Sequence, residues 1–195
     1  MRKTVEFYYD YGSPAAYLAW TQLPSLCAEH DAELVSCPVL LGGIFKATGN
    51  QSPVVIEPKG AWMFDDIERH AAHYGVPFAK NPYFIINTLP LMRGAMWARG
   101  KGRLSDYDKV MFDAIWVEQR NMNDVTVIGN TLTEGGFDAG ELVAAVQEPG
   151  IKGQLIEATE AAVSKGLFGV PTMIVNGETH FGQDRMDWVA RALAA

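Results

Sequence analysis

Apolar and polar residues alternate over Thr4–Tyr9, with Val5, Phe7 and Tyr9 on one side and Glu6 and Tyr8 on the other. That two-residue period predicts a strand. Asp10-Tyr11-Gly12-Ser13-Pro14 ends it as a turn, and Pro14 suits the first turn of a helix. Ala16, Trp20, Leu23 and Cys27 then recur at helical spacing, with Pro24 inside the pattern predicting a kink. Ala32–Cys37 reads as a second strand ended by Pro38. Towards the other end, Ile151, Leu155, Ala158 and Ala162 share a helical face that stops at Lys165-Gly166. Thr172–Val175 is an apolar strand, Asn176-Gly177 a hairpin turn and Glu178–Phe181 the returning strand. Gly182-Gln183-Asp184 opens a last helix with Met186, Val189, Ala190 and Leu193 on one face.

Between these ends, from Leu41 to Gly136, almost every periodic segment is helical. One helix is predicted over Gly60–Tyr74, and another starts near Thr88 and carries Met92, Ala95 and Met96. A third carries Tyr107, Val110, Met111, Ala114 and Val117, behind Ser105-x-x-Asp108 in the form of a capping box. Asp138 suits the cap of a short helix through Val146. The order is βαβ, a helical block, then αββα, with Val170-Pro171 just before the third strand. This is the element order of a thioredoxin-like fold, an α/β class, with a large all-helical insertion after the second strand. The predicted division is residues 1–40 with 137–195 as the thioredoxin-like domain, and 41–136 as the inserted helical domain.

Composition narrows the functional classes. The 195 residues are 48% hydrophobic and 20% charged, enough to bury a core without disulfides or metal. Net charge is −7, and the 16 Lys and Arg are scattered, so nothing resembles the basic stripe of a nucleic-acid or acidic-membrane surface. No signal-peptide core and no run of about 18 apolar residues is present, which gives a cytoplasmic expectation. Cys27 falls on an apolar helix face and Cys37 in a strand, both as reduced core thiols. At the junction of strand one and helix one, where redox thioredoxin-fold proteins carry Cys-x-x-Cys, the chain has Ser13-Pro14-Ala15-Ala16. Dithiol exchange through its own cysteines is excluded.

Six segments in order carry a resemblance: Phe7 through Leu18, Gly49-Asn50-Gln51-Ser52-Pro53, Pro58-Lys59-Gly60, Asn87 through Arg93, Phe168-Gly169-Val170-Pro171-Thr172, and Phe181-Gly182-Gln183-Asp184-Arg185. Through them the chain resembles the superfamily of 2-hydroxychromene-2-carboxylate isomerases and kappa-class glutathione transferases, in the DsbA branch of the thioredoxin fold. The resemblance implies glutathione as cofactor. Locally, Ser13 reads as a helix N-cap. The resemblance implies that its hydroxyl also faces the glutathione sulfur and stabilises the thiolate. One charge-assisted hydrogen bond of ~1.5–3 kcal/mol lowers a thiol pKa by roughly one to two units.

The remaining site residues also have two readings each. Pro171 after Val170 can be an ordinary loop proline; the resemblance implies a cis bond that turns the Val170 backbone toward a cysteinyl ligand. Asp184 can be a cap. The resemblance instead assigns Phe181, Gly182, Gln183 and Asp184 to the γ-glutamyl end of glutathione. Asn50 and Lys59 match glutathione-contacting positions, although Lys59 alone reads as a solvated lysine. Lys46 and Tyr83 match positions near the second substrate. His70-x-x-His73 lacks a third ligand and reads as a solvated helix face, so no metal is expected.

The function implied is glutathione-dependent isomerisation of 2-hydroxychromene-2-carboxylate to trans-o-hydroxybenzylidenepyruvate in naphthalene-type degradation. The alternatives are a kappa-class transferase acting on electrophiles, and a non-catalytic thioredoxin-fold binding module. A homodimer is implied by the resemblance only.

Overall fold

The alternating segment Thr4–Tyr9 becomes β1, the strand on which the rest of the fold is built in a computed structural model that describes residues 2–195. Val5, Phe7 and Tyr9 are fully buried on one face, and Tyr8 is buried on the other. β1 pairs in parallel with β2 (Glu33–Pro38) and antiparallel with β3 (Thr172–Val175), which pairs with β4 (Glu178–Phe181). The sheet order is β2-β1-β3-β4. A parallel β1/β2 pair needs a crossover, supplied by α1 (Pro14–Glu29). The β3–β4 turn follows from Asn176 and Gly177, both at positive φ (52° and 83°), as a two-residue hairpin of this type requires.

The register places the site. Tyr8 lies opposite Thr172, and Tyr9 opposite Pro38. The chain leaving β1 and the chain entering β3 therefore meet at one edge of the sheet, which brings residues 10–13 beside 169–171.

Helices cover both faces. On the Phe7 side, Leu18 and Leu23 of α1 share a core with Val189 and Leu193 of α9 (Met186–Ala194). On the Tyr8 side, Ala162 of α8 (Pro149–Ser164) and Ile44 of α2 (Leu41–Thr48) close a smaller core with Val39, Leu167 and Val170. Between β2 and β3 the chain also forms α3 (Glu57–Tyr74), α4 (Leu89–Gly100), α5 (Leu104–Trp116), α6 (Val125–Glu134) and α7 (Ala139–Ala145). The core runs on from the sheet into this block, where Tyr9 and Tyr11 pack against Phe112 at 5.8 and 5.0 Å.

Three local expectations change. Helix α3 begins at Glu57, three residues before Gly60, because Pro58 sits in its first turn where a missing N–H costs nothing. The last helix is preceded by a separate 3₁₀ turn, Gln183–Arg185, and starts only at Met186. Ser105-x-x-Asp108 is not a capping box. Helix α5 has already begun at Leu104, no side chain caps it, and Asp108 turns inward to accept hydrogen bonds from Tyr9 and Tyr11. Asp138 does cap α7, accepting from the Glu141 N–H at 2.9 Å. Helix α1 is continuous through Pro24. Both cysteines are free thiols, and among the described residues no helix is long and apolar enough to cross a membrane.

Candidate active site

The turn after β1 is held from beneath by one carboxylate. Asp10 is 1% exposed; its Oδ1 accepts the Gly12 N–H at 2.9 Å and its Oδ2 accepts the Leu41 N–H at 2.8 Å. Burial raises its pKa, while these two N–H groups and the Thr88 hydroxyl act to lower it. Leu41 opens α2, so Asp10 ties the β1–α1 turn to the start of a second helix. Gly12 packs closely here, and a Cβ would lie 3.1 Å from the Thr88 methyl.

Ser13 caps α1. Its Oγ accepts the Ala16 N–H at 3.1 Å, and Pro14 follows in the first turn. The hydroxyl proton is directed at the Val170 carbonyl at 3.4 Å, well beyond the 2.5–3.0 Å usual for an O–H···O bond. One acceptor site of Ser13 is therefore in use while its donor is weakly committed. The Val170–Pro171 bond is cis.

Ser13 and Val170 open onto a pocket of about 190 Å³, walled by Leu41 and Phe45 of α2, Met63 of α3, Asn50, Phe84 and Phe181. Asn50 donates to the Phe168 carbonyl at 2.8 Å and accepts from the Gln51 N–H at 2.8 Å, locking the loop after α2 to the segment before Pro171. Phe181 packs on Phe168 with ring centroids 4.7 Å apart. Gly169 lies close beneath this pair, because a Cβ there would come within 3.0 Å of the Phe181 ring.

The next residues continue around the same edge. The Gly182 N–H donates to the Pro171 carbonyl at 3.0 Å, and Gly182 itself is at φ 107°. Gln183 is buried, and its carbonyl accepts from the Tyr74 hydroxyl of α3 at 2.8 Å. Asp184 makes no cap hydrogen bond and has only its neighbour Arg185 at 3.6 Å, so its half-exposed carboxylate is available to a cation. Ser13, Asn50, Val170, Pro171, Phe181, Gly182, Gln183 and Asp184 thus gather at one end of the sheet.

Three predicted residues stand apart. Lys59 is exposed in the first turn of α3, one turn before Met63 on the same face, outside the pocket wall. Lys46 projects from the opposite side of α2 to Leu41 and Phe45, into a different cavity. Tyr83 is 49% exposed, and its neighbour Phe84 enters the pocket wall instead. Conversely, sequence reasoning misses Asp10, Phe45, Met63 and Phe84 as site residues. An acidic residue directly before a turn is a usable signal for Asp10, as such residues bond to nearby backbone N–H groups. For the three apolar residues no local signal exists.

The chemistry of this arrangement is that of a thioredoxin-type ligand edge without a thiol. No cysteine lines it, and burial pushes both Cys27 and Cys37 up, Cys37 to about 11. Among the described residues, no three His, Cys, Asp or Glu side chains group as a metal site. The sheet order and the serine that starts α1 beside the Val170–Pro171 segment define a thioredoxin-fold protein with no thiol at that junction.

The family described as DSBA-like thioredoxin domain matches residues 4–194, and the chain belongs to it. It is 30% identical over 194 residues to a 2-hydroxychromene-2-carboxylate isomerase of Sphingobium xenophagum, covering 97% of each chain. It is 29% identical to glutathione S-transferase kappa 1 of Homo sapiens, covering 98% of this chain and 91% of the relative. A solved structure of a 2-hydroxychromene-2-carboxylate isomerase superposes with TM-score 0.88 at 24% identity, over 98% of this chain and 94% of that one.

Proposed function

We propose that the protein is a glutathione-dependent isomerase acting on 2-hydroxychromene-2-carboxylate or an aromatic relative. The observation that carries this reading is Ser13. Its hydroxyl has one acceptor site filled by Ala16 and a proton held only by the long contact to Val170. Such a donor, with the partial positive charge of the α1 terminus behind it, suits a sulfur anion. It is not an activated nucleophile, since no histidine lines the pocket to deprotonate it.

The pocket's residues fit glutathione as its occupant. The Val170 backbone suits pairing with an extended cysteinyl segment, the Gly182–Gln183 turn suits a carboxylate, and Asp184 suits an ammonium. Lys59, exposed at the head of α3 and outside the pocket wall, suits a carboxylate of a ligand that extends beyond the pocket. Glutathione held there by Val170, Gly182, Gln183 and Asp184 would supply a nucleophilic sulfur for reversible addition to the conjugated alkene of the ring-opened substrate, and would be regenerated. Ser13 holds the sulfur ionised and in place, and Phe45, Met63 and Phe84 provide an apolar wall that excludes water.

The decisive experiment follows the absorbance of 2-hydroxychromene-2-carboxylate with and without glutathione. Conversion to the trans-benzylidenepyruvate only with glutathione, and without its consumption, supports the isomerase. A product that retains glutathione covalently would assign the protein to the transferases instead. A folded protein that fails to bind millimolar glutathione would make it a binding module of another kind.

A further inference from the structure

Across the thickness of α2 from Ser13 lies a second, larger cavity of about 510 Å³, between α2, α4 and α8. Helix residues step by about 100°, so Leu41 and Phe45 face the Ser13 pocket while Gly43, Lys46 and Ala47 face this one. Its walls are apolar, with Leu40, Leu89, Leu155, Ile156 and Val163. At its edge stand three cations, one from each helix: Lys46, Arg93 and Lys152. Only one carboxylate, Glu160, joins them in the lining.

These three cations line one cavity in a chain of net charge −7. The molecule's ion pairs occupy other lysines and arginines, and none among the described residues engages these three. The Nε of Arg93 is buried without any hydrogen-bond partner. The Thr159 hydroxyl, which also lines the cavity, accepts from the Leu40 N–H at 3.0 Å and donates to the Leu155 carbonyl at 2.7 Å, and makes no hydrogen bond to Arg93. A guanidinium presents five donors and no acceptor, and it pairs best with a planar oxyanion.

Size and chemistry together select the occupant. The volume lies within the ~300–1,000 Å³ range of small-molecule sites. A bare inorganic anion would leave the leucine and isoleucine walls wet, and a neutral hydrocarbon would leave Arg93 unpaired. We propose that this cavity is a second ligand site, separate from the Ser13 pocket, for a monocarboxylate with an apolar body. The carboxylate sits on Arg93 with Lys46 and Lys152 around it, and the body lies along Leu155, Ile156 and Val163. The site stands independently of the glutathione reading.

The test is calorimetric titration of the full chain with 2-naphthoate, in the presence of saturating glutathione. Saturable one-to-one binding is expected. Affinity should fall at least tenfold in Arg93→Met, in the double variant Lys46→Met/Lys152→Met, and for the neutral analogue 2-naphthylmethanol. The lysine variant keeps the test valid if Arg93→Met fails to fold, because Lys46 is exposed and Lys152 unpaired. Absence of saturable binding by the wild type at millimolar 2-naphthoate would overturn the proposal. So would unchanged affinity in the lysine variant, or binding that appears only when glutathione is left out, which would put the probe in the Ser13 pocket. Sedimentation showing that Ile156→Glu breaks an oligomer would assign the cavity to a second copy of the chain and overturn it as well.

Discussion

Ser13 and Val170 are 157 residues apart in the chain, yet the Ser13 hydroxyl oxygen and the Val170 carbonyl oxygen lie 3.4 Å from each other. Strand register brings them together. With Tyr8 opposite Thr172, the turn that leaves β1 and the segment that enters β3 share one edge of the sheet. The helix start and the Val170 backbone then line one pocket, and an alternation in six N-terminal residues is what positions the candidate chemistry.

Ser13→Ala separates the two roles of that hydroxyl. Loss of the cap to Ala16 should lower stability by ~1 kcal/mol, readable as a shift in urea midpoint. Loss of the donor should raise the pKa of bound glutathione by roughly one to two units and cut kcat/KM about 10- to 100-fold near neutral pH. Thiolate ultraviolet absorbance of the complex across pH reads the first effect. An unchanged thiol titration with full turnover would remove Ser13 from the chemistry and leave it as a cap.

Asp108 makes stability depend on pH in an uncommon direction. Tyr9 and Tyr11 both donate to its Oδ1, at 2.7 and 2.6 Å, in a fully buried setting. Burial pushes its pKa up to about 7, against the lowering effect of the two phenols. A carboxyl that holds its proton more tightly when folded adds stability that is complete below its unfolded pKa of ~3.9 and is lost as pH rises through about 7. The slope within that window approaches ~1.4 kcal/mol per pH unit for one proton. Chemical denaturation at several pH values from about 4 to 8 should show this fall, and Asp108→Asn should flatten it. A slope that survives the substitution would place its origin elsewhere, with Asp10 next in line because its pKa is raised in the same sense.

Two helix glycines should respond oppositely to the same change. A Cβ on Gly94 in α4 would fall inside the Tyr107 hydroxyl and 2.7 Å from its Cζ. Tyr107 is fully buried and bonded to the Leu91 carbonyl, so it has nowhere to go. Gly94→Ala should cost ~1–3 kcal/mol or more by overpacking. An added methyl on Gly129 in α6 would meet nothing within 4 Å, and Gly129→Ala should stabilise by ~0.5–1 kcal/mol through backbone entropy. Thermal melts of the two variants decide it; a gain for Gly94→Ala would mean that α4 and α5 are more loosely packed than this structure has them.

What is legible in the sequence is local or periodic. Thr4–Tyr9, the Asn176-Gly177 turn and the Asp138 cap all depend on neighbours within a few residues, and each stands in the structure as read. Asp108 defeats a local reading because the partners that draw its carboxylate inward lie 97 and 99 residues away. Family position draws Lys46 toward the Ser13 pocket, but the phase of α2 sends it to the other side. Tyr83 and Phe84 are adjacent in a stretch with no regular period, where no pattern tells which ring turns in.

Asp10 offers the sharpest test of how the pocket is held. Its two oxygens each accept one backbone N–H, from Gly12 on the serine turn and from Leu41 at the start of α2. Asparagine keeps the shape but replaces one acceptor with an NH₂ that would face one of those donors. Leaving a buried N–H unsatisfied costs ~1–3 kcal/mol. The damage falls on the pocket as well as on stability, because Leu41 and Phe45 of the helix so tethered form one of its walls. Asp10→Asn should therefore lower the melting temperature and weaken glutathione binding about tenfold or more. Asp138→Ala supplies the control: it removes the α7 cap at a cost of ~1 kcal/mol, and α7 contributes no residue to the pocket. Calorimetric titration with glutathione on both variants separates the cases. Equal loss of affinity in the two would mean that binding tracks global stability, and Asp10 would then have no positioning role; loss in Asp10→Asn alone would show that the tether from the serine turn to α2 sets the shape of the site.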